Sequence, residues 1–79
     1  MDRFYFHVED DDRVIDDEGV ELADIEAARR EAITAAADML RDGSGKVIWG
    51  GKPWRMWVTQ EPNGTGKPLF TLRFSASES

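Results

Sequence analysis

The sequence predicts a small α+β domain in the order strand, strand, helix, strand, strand: a four-stranded antiparallel sheet with one helix on one face. Three observations predict it. Residues 3 to 8, RFYFHV, alternate with Phe4, Phe6 and Val8 on one side and Tyr5 and His7 on the other, the two-residue period of a strand. From Asp24 the apolar period lengthens to that of a helix. After a glycine-rich interval, alternation returns twice, at residues 54 to 59 and 69 to 74.

The second strand is the weakest of the four. Residues 9 to 19, EDDDRVIDDEG, interrupt the apolar pattern with carboxylates, leaving only Val14 and Ile15 and then Val20 and Leu22 to face a core. These read as one short, polar-edged strand that closes a hairpin with the first. The helix follows, with Ile25, Ala28, Ala32, Ala36, Met39 and Leu40 on one stripe. Asp24 is placed to cap its N-terminus, and Gly43 to end it in the left-handed conformation. So many alanines make the stripe thin, so the helix can approach a sheet closely.

Residues 43 to 53, GSGKVIWGGKP, read as a loop with an apolar plug of Val47, Ile48 and Trp49. The last two strands are joined through EPNGTGKP, where Asn63-Gly64 is turn chemistry. Stacking the apolar positions gives a core of Phe4, Phe6, Val8, Trp54, Met56, Val58, Phe70, Leu72 and Phe74 beneath the helix. With the two most apolar strands central, the expected strand order is 2-1-3-4. The other face would carry Arg3, Tyr5, His7, Arg55, Trp57, Thr59, Leu69, Thr71 and Arg73.

A chain of 79 residues forms one domain, 1–79, with 74–79 expected as a frayed tail. It has no cysteine, so neither a disulfide nor a thiolate metal site contributes to stability. No stretch is long and apolar enough for a membrane span or a secretory signal, and the expected location is cytoplasmic. The net charge of −6 argues against bulk binding to a phosphate backbone. That average conceals a split: residues 1 to 42 carry fourteen acids and five bases, whereas residues 43 to 79 carry five bases and two acids.

No catalytic motif stands out. Seven of the ten residues from Glu9 to Glu18 are carboxylates, yet a calcium loop counted from Asp10 puts Val14 and Ile15 where a ligand and a glycine belong. The run reads as a charged turn, and no metal or other cofactor is expected. Gly45-Lys46 and Gly66-Lys67 are followed by valine and proline, which spoils a phosphate-binding loop. His7 and Ser44 are the only material outside the tail for a nucleophile and its base, and strand and helix-exit positions suit neither role. The protein is therefore expected not to be an enzyme.

The opening MDRFYFHVED, the segment DDEGVELADIEAARREA and the closing LRFSAS resemble a family of small uncharacterised alphaproteobacterial proteins, rhizobia among them, filed as a domain of unknown function. The family opening of Met, any residue, Arg, two aromatics, Phe and His is matched from Met1 to His7. A Gly-x-Glu-Leu step is matched at Gly19 to Leu22, followed by the Ala-rich helix. The resemblance implies fold and cytoplasmic origin and transfers no catalytic or binding residue. The Gly43–Pro53 loop and the turn around Asn63 look longer than that pattern.

The chemistry left to function is thus the second sheet face. Arg3, Tyr5, His7, Arg55, Trp57 and Arg73 form a set rich in the residue types that anchor protein interfaces. The expected role is an interaction module that self-associates or binds a protein partner through that face. A single-stranded nucleic-acid platform, with bases on Tyr5 and Trp57 and phosphates on the arginines, is the alternative. Cover of the same face by Trp49 and the tail is the structural reading.

Overall fold

A computed structural model describes residues 1–77. The chain runs β1 (Asp2–Glu9), β2 (Arg13–Val14), β3 (Val20–Leu22), α1 (Ile25–Met39), α2 (Gly45–Trp49), β4 (Trp54–Thr59) and β5 (Phe70–Phe74). All pairings are antiparallel, in the order β2-β1-β4-β5, with β3 also on β1. The α+β class and the predicted strand order are both seen. The strand count differs, because the second strand is split in two. Val8 opposes Val14 and Phe4 opposes Val20, so β1 advances four residues while the facing chain advances six. The surplus bulges outward between β2 and β3.

Asp24 caps α1, its Oδ1 accepting from the Ala27 amide at 2.9 Å. The face turned to the sheet is built on Ala28, Ala32 and Ala36, all essentially inaccessible. Ile25 and Met39, at the ends of the predicted stripe, remain exposed. With only methyl groups between them, helix and sheet meet closely. Leucine at Ala32 should therefore overpack the contact and destabilise by about 1–3 kcal/mol, read as a lowered thermal midpoint. An unchanged midpoint would mean that the helix does not sit this near.

Among the described residues, two clusters make up the core. One joins Val8, Trp54, Met56 and Ile48 to the second half of α1, and the other joins Phe4 and Val58 to Ala28. Phe6 and Phe70 touch both. Trp54 meets Phe74 edge to face at 5.5 Å. Phe74 is thus the last residue of β5 and is not frayed, and Ala76 also packs on the core. Residues 78 and 79 of the expected tail lie outside the described residues.

The Gly43–Pro53 stretch is not a plain loop. A wide turn at Leu40–Ser44 leads into α2, and Gly43, at φ 162° and ψ −38°, breaks the helix without entering the left-handed region. Of the expected plug, Ile48 enters the core while Trp49 stays 65% exposed. The Val47 side chain lies outside the described ones. Trp49 therefore does not cover the far sheet face.

Candidate functional site

Alternation along β1, β4 and β5 directs Tyr5, His7, Arg55, Trp57, Thr59, Thr71 and Arg73 away from α1. The sequence alone leaves this face open. The structure corrects that expectation: His7 and Thr59 are 0% exposed and Trp57 is 5% exposed. The cover comes from the bulge between β2 and β3 and from the turn before β5. A Cβ on Gly64 would lie 3.1 Å from Ile15 Cδ1 and 3.7 Å from Trp57 Cζ2, which places this turn over both residues. Asn63 and Gly64 have φ of 64° and 71°, the paired positive values that an Asn-Gly step adopts readily.

His7 is held at both ring nitrogens. The Asp16 backbone N–H donates to Nδ1 at 3.1 Å, and Nε2 lies 3.0 Å from Thr59 Oγ1. Because Nδ1 accepts, the proton must sit on Nε2, which donates to Thr59. The Thr59 hydroxyl in turn donates to the Glu61 carbonyl at 2.5 Å. Every partner is satisfied only while the ring is neutral. Burial lowers the His7 pKa below 6.5, an effect that outweighs the opposing pull of the Asp16 charge.

Asp16 fixes the bulge. Its Oδ2 accepts from the Phe6 amide at 3.1 Å, replacing the strand partner that the bulge removes from β1. Its Oδ1 accepts from the Glu18 and Gly19 amides, both at 3.0 Å. Partial burial works to raise the Asp16 pKa, yet the three amides together with His7 prevail and hold it below the usual carboxylate value of 3.8. Gly19 completes the turn at φ 73°, where a Cβ would come within 2.9 Å of both Arg3 and Tyr5 side chains.

Trp57 is the apolar centre of this second layer. His7 lies beside it at 5.2 Å, and the Arg55 and Arg13 guanidinium groups sit over its ring at 4.3 and 5.4 Å. Glu9 clamps both arginines, accepting from Arg55 Nη2 at 2.9 Å and from Arg13 Nε at 3.2 Å. The Arg55 hydrogen bond foremost holds the Glu9 carboxyl below its usual range. Ring and cations are thus engaged with one another.

The remaining predicted residues are dispersed. Arg3 donates to the Glu18 carbonyl at 2.6 Å and pairs with Glu21 at 3.2 Å. Tyr5 is half-buried, with its ring beside Gly19. Arg73 is exposed opposite Arg55 and borders a cleft of about 480 Å³ shared with Asp10, Asp11 and Lys52. Lys52 and Asp11 form an ion pair across its mouth. Among the described residues, no group of three or more His, Asp or Glu side chains is arranged to hold a metal ion. The Ser44 side chain lies outside the described ones.

Sequence reasoning missed Asp16, Ile15, Arg13 and Glu9 as the cover of this face. One signal was present: Asp16 three residues before Gly19 is the pattern of an Asx turn, in which the carboxylate bonds its own following amides. Among seven carboxylates in ten residues that signal does not stand out.

A family model described as Domain of unknown function (DUF6894) matches residues 3–75. No curated protein matches the chain, and no solved structure does. Among the described residues, no helix is long and apolar enough to cross a membrane.

Proposed function

We propose, for a chain that belongs to the DUF6894 family and takes no activity from that membership, a non-enzymatic interaction module that acts by self-association or by binding a protein partner. One observation carries this reading. On the second sheet face the groups that chemistry or phosphate binding would use are engaged with their neighbours: both His7 nitrogens, the Trp57 ring, and the Arg3, Arg13 and Arg55 cations. With Trp57 only 5% exposed, a base would find no open ring there to stack on, which weighs against the nucleic-acid alternative. An apolar surface that is not engaged lies elsewhere, along β5 and the adjoining flank of α1, where Ile33, Phe70 and Leu72 line a groove bordered by Arg29. A cytoplasmic, alphaproteobacterial protein is the setting we propose, on the strength of the opening motif.

Sedimentation over a concentration series, with and without a single-stranded oligonucleotide, tests the reading. Mass that rises with protein concentration and ignores the oligonucleotide is the expected result. A monomer at every concentration would overturn its self-associating form, and a complex with the oligonucleotide that weakens steeply with salt would overturn the reading as a whole.

A further inference from the structure

The two edges of the sheet are built differently. On the β2/β3 side the edge is broken by a bulge and lined with carboxylates, both devices that prevent another strand from adding. On the β5 side neither device is present. The strand FTLRF is continuous, and among the described residues its outer edge has no neighbouring strand.

Backbone geometry shows which groups that edge offers. The Leu69 amide donates to the Val58 carbonyl at 2.8 Å, so the peptide groups of Val58 point toward β5. Alternation then points Met56 and Trp54 the same way, and their partners Leu72 and Phe74 back toward them. Thr71 and Arg73 therefore direct their N–H and C=O groups outward. Beside this edge, Ile33 of α1 is 55% exposed and shares an apolar groove with Phe70 and Leu72.

We infer that the occupant of this edge is a second copy of the chain, its β5 paired antiparallel with the first about a two-fold axis through Leu72. The strand is self-complementary in that register. Thr71 meets Arg73 of the second copy and the reverse, so four backbone hydrogen bonds form without one arginine facing the other. Phe70 meets Phe74 on the side of α1, and both helices fall on the same face of one continuous sheet. A pair of five-residue strands covers only a narrow strip, short of the roughly 1,200 Å² typical of a stable interface. The exposed Ile33 flanks, which share the groove of Phe70 and Leu72 beside the same edge, add apolar area to the contact. A head-to-tail contact of β5 with the acidic edge would use the opposite charges of the two halves, but it meets the bulge and would not close.

This inference rests on the proposed module and is separable from it. The chain has no cysteine, so Leu72→Cys introduces a single reporter. On the axis the two Cα atoms would lie about 4.5 Å apart, within disulfide reach. Mild oxidation should convert most of the L72C chain to a covalent dimer. Arg73→Pro removes an outward amide without touching the β4 ladder, and Ile33→Glu places charge in the apolar flank of an exposed helix position. Each should shift the wild-type dimer at least tenfold toward monomer, with the thermal midpoint and circular dichroism of the isolated chain retained. A dimer that survives both substitutions and leaves the L72C chain unlinked would overturn the edge pairing while leaving self-association standing. A wild-type monomer at all concentrations would overturn this pairing as well as the self-associating form of the module.

Discussion

Trp57→Ala is expected to unfold the protein or nearly so. Removing a buried Trp costs about 3–5 kcal/mol, a large part of the stability of a domain this small. At this position the loss has a second component. The Arg55 and Arg13 cations and the His7 ring all pack against the indole, so its removal leaves a gap beneath groups that remain charged or polar. Chemical denaturation of the variant should show a collapsed midpoint, and Trp57→Phe should recover part of it. A variant as stable as wild type would mean that the second face is open after all.

Asp16→Ala should be nearly as damaging, by about 2–4 kcal/mol. Hydrogen bonds to a charged group contribute about 1.5–3 kcal/mol each, and the total falls below three such bonds because water can reach the exposed Glu18 amide. The Phe6 and Gly19 amides are part-buried and less open to water. Acid should reproduce the loss in two stages. Below pH 6.5 an unfolded chain protonates its histidine while the folded chain, with its His7 pKa lowered, does not, so stability falls as pH drops through the interval between the two values. Below pH 3.8 the same argument applies to Asp16, whose carboxylate is retained longer in the fold than in the unfolded chain. His7→Gln should abolish the first decline and leave the second. A stability profile that rises as pH drops from 7 to 5 would refute the neutral, doubly bonded imidazole.

The first layer of this protein was legible in its residues because periodicity reports burial against a regular neighbour. Phe4, Val8, Trp54, Met56 and Val58 face α1 as alternation requires, and the Ala28, Ala32 and Ala36 stripe lies on them. The second layer was not legible, because its cover is irregular. Ile15, Asp16 and Gly64 come from a bulge and a turn, where no period links sequence to direction, and Asp16 looks no different from Asp17 beside it. His7 and Trp57 alternate correctly to the far side, and what meets them there depends on contacts between distant parts of the chain. Trp49 shows the converse: an apolar residue in a glycine-rich stretch invites burial, yet the helical turn of α2 sends Ile48 inward in its place.

The centre of the sheet is the seam between β1 and β4, where Tyr5 opposes Thr59. The hairpins on either side are local and can zip early, each within its own half of the chain. Their junction cannot, because nearly the whole intervening polypeptide must be looped out before the first rung forms, and the entropy of that closure must be met before any contact across it. The rate-limiting event in folding should therefore be the docking of two preformed halves, one net acidic and one net basic. Long-range attraction between them would hasten their encounter, and added salt would slow refolding more than it accelerates unfolding.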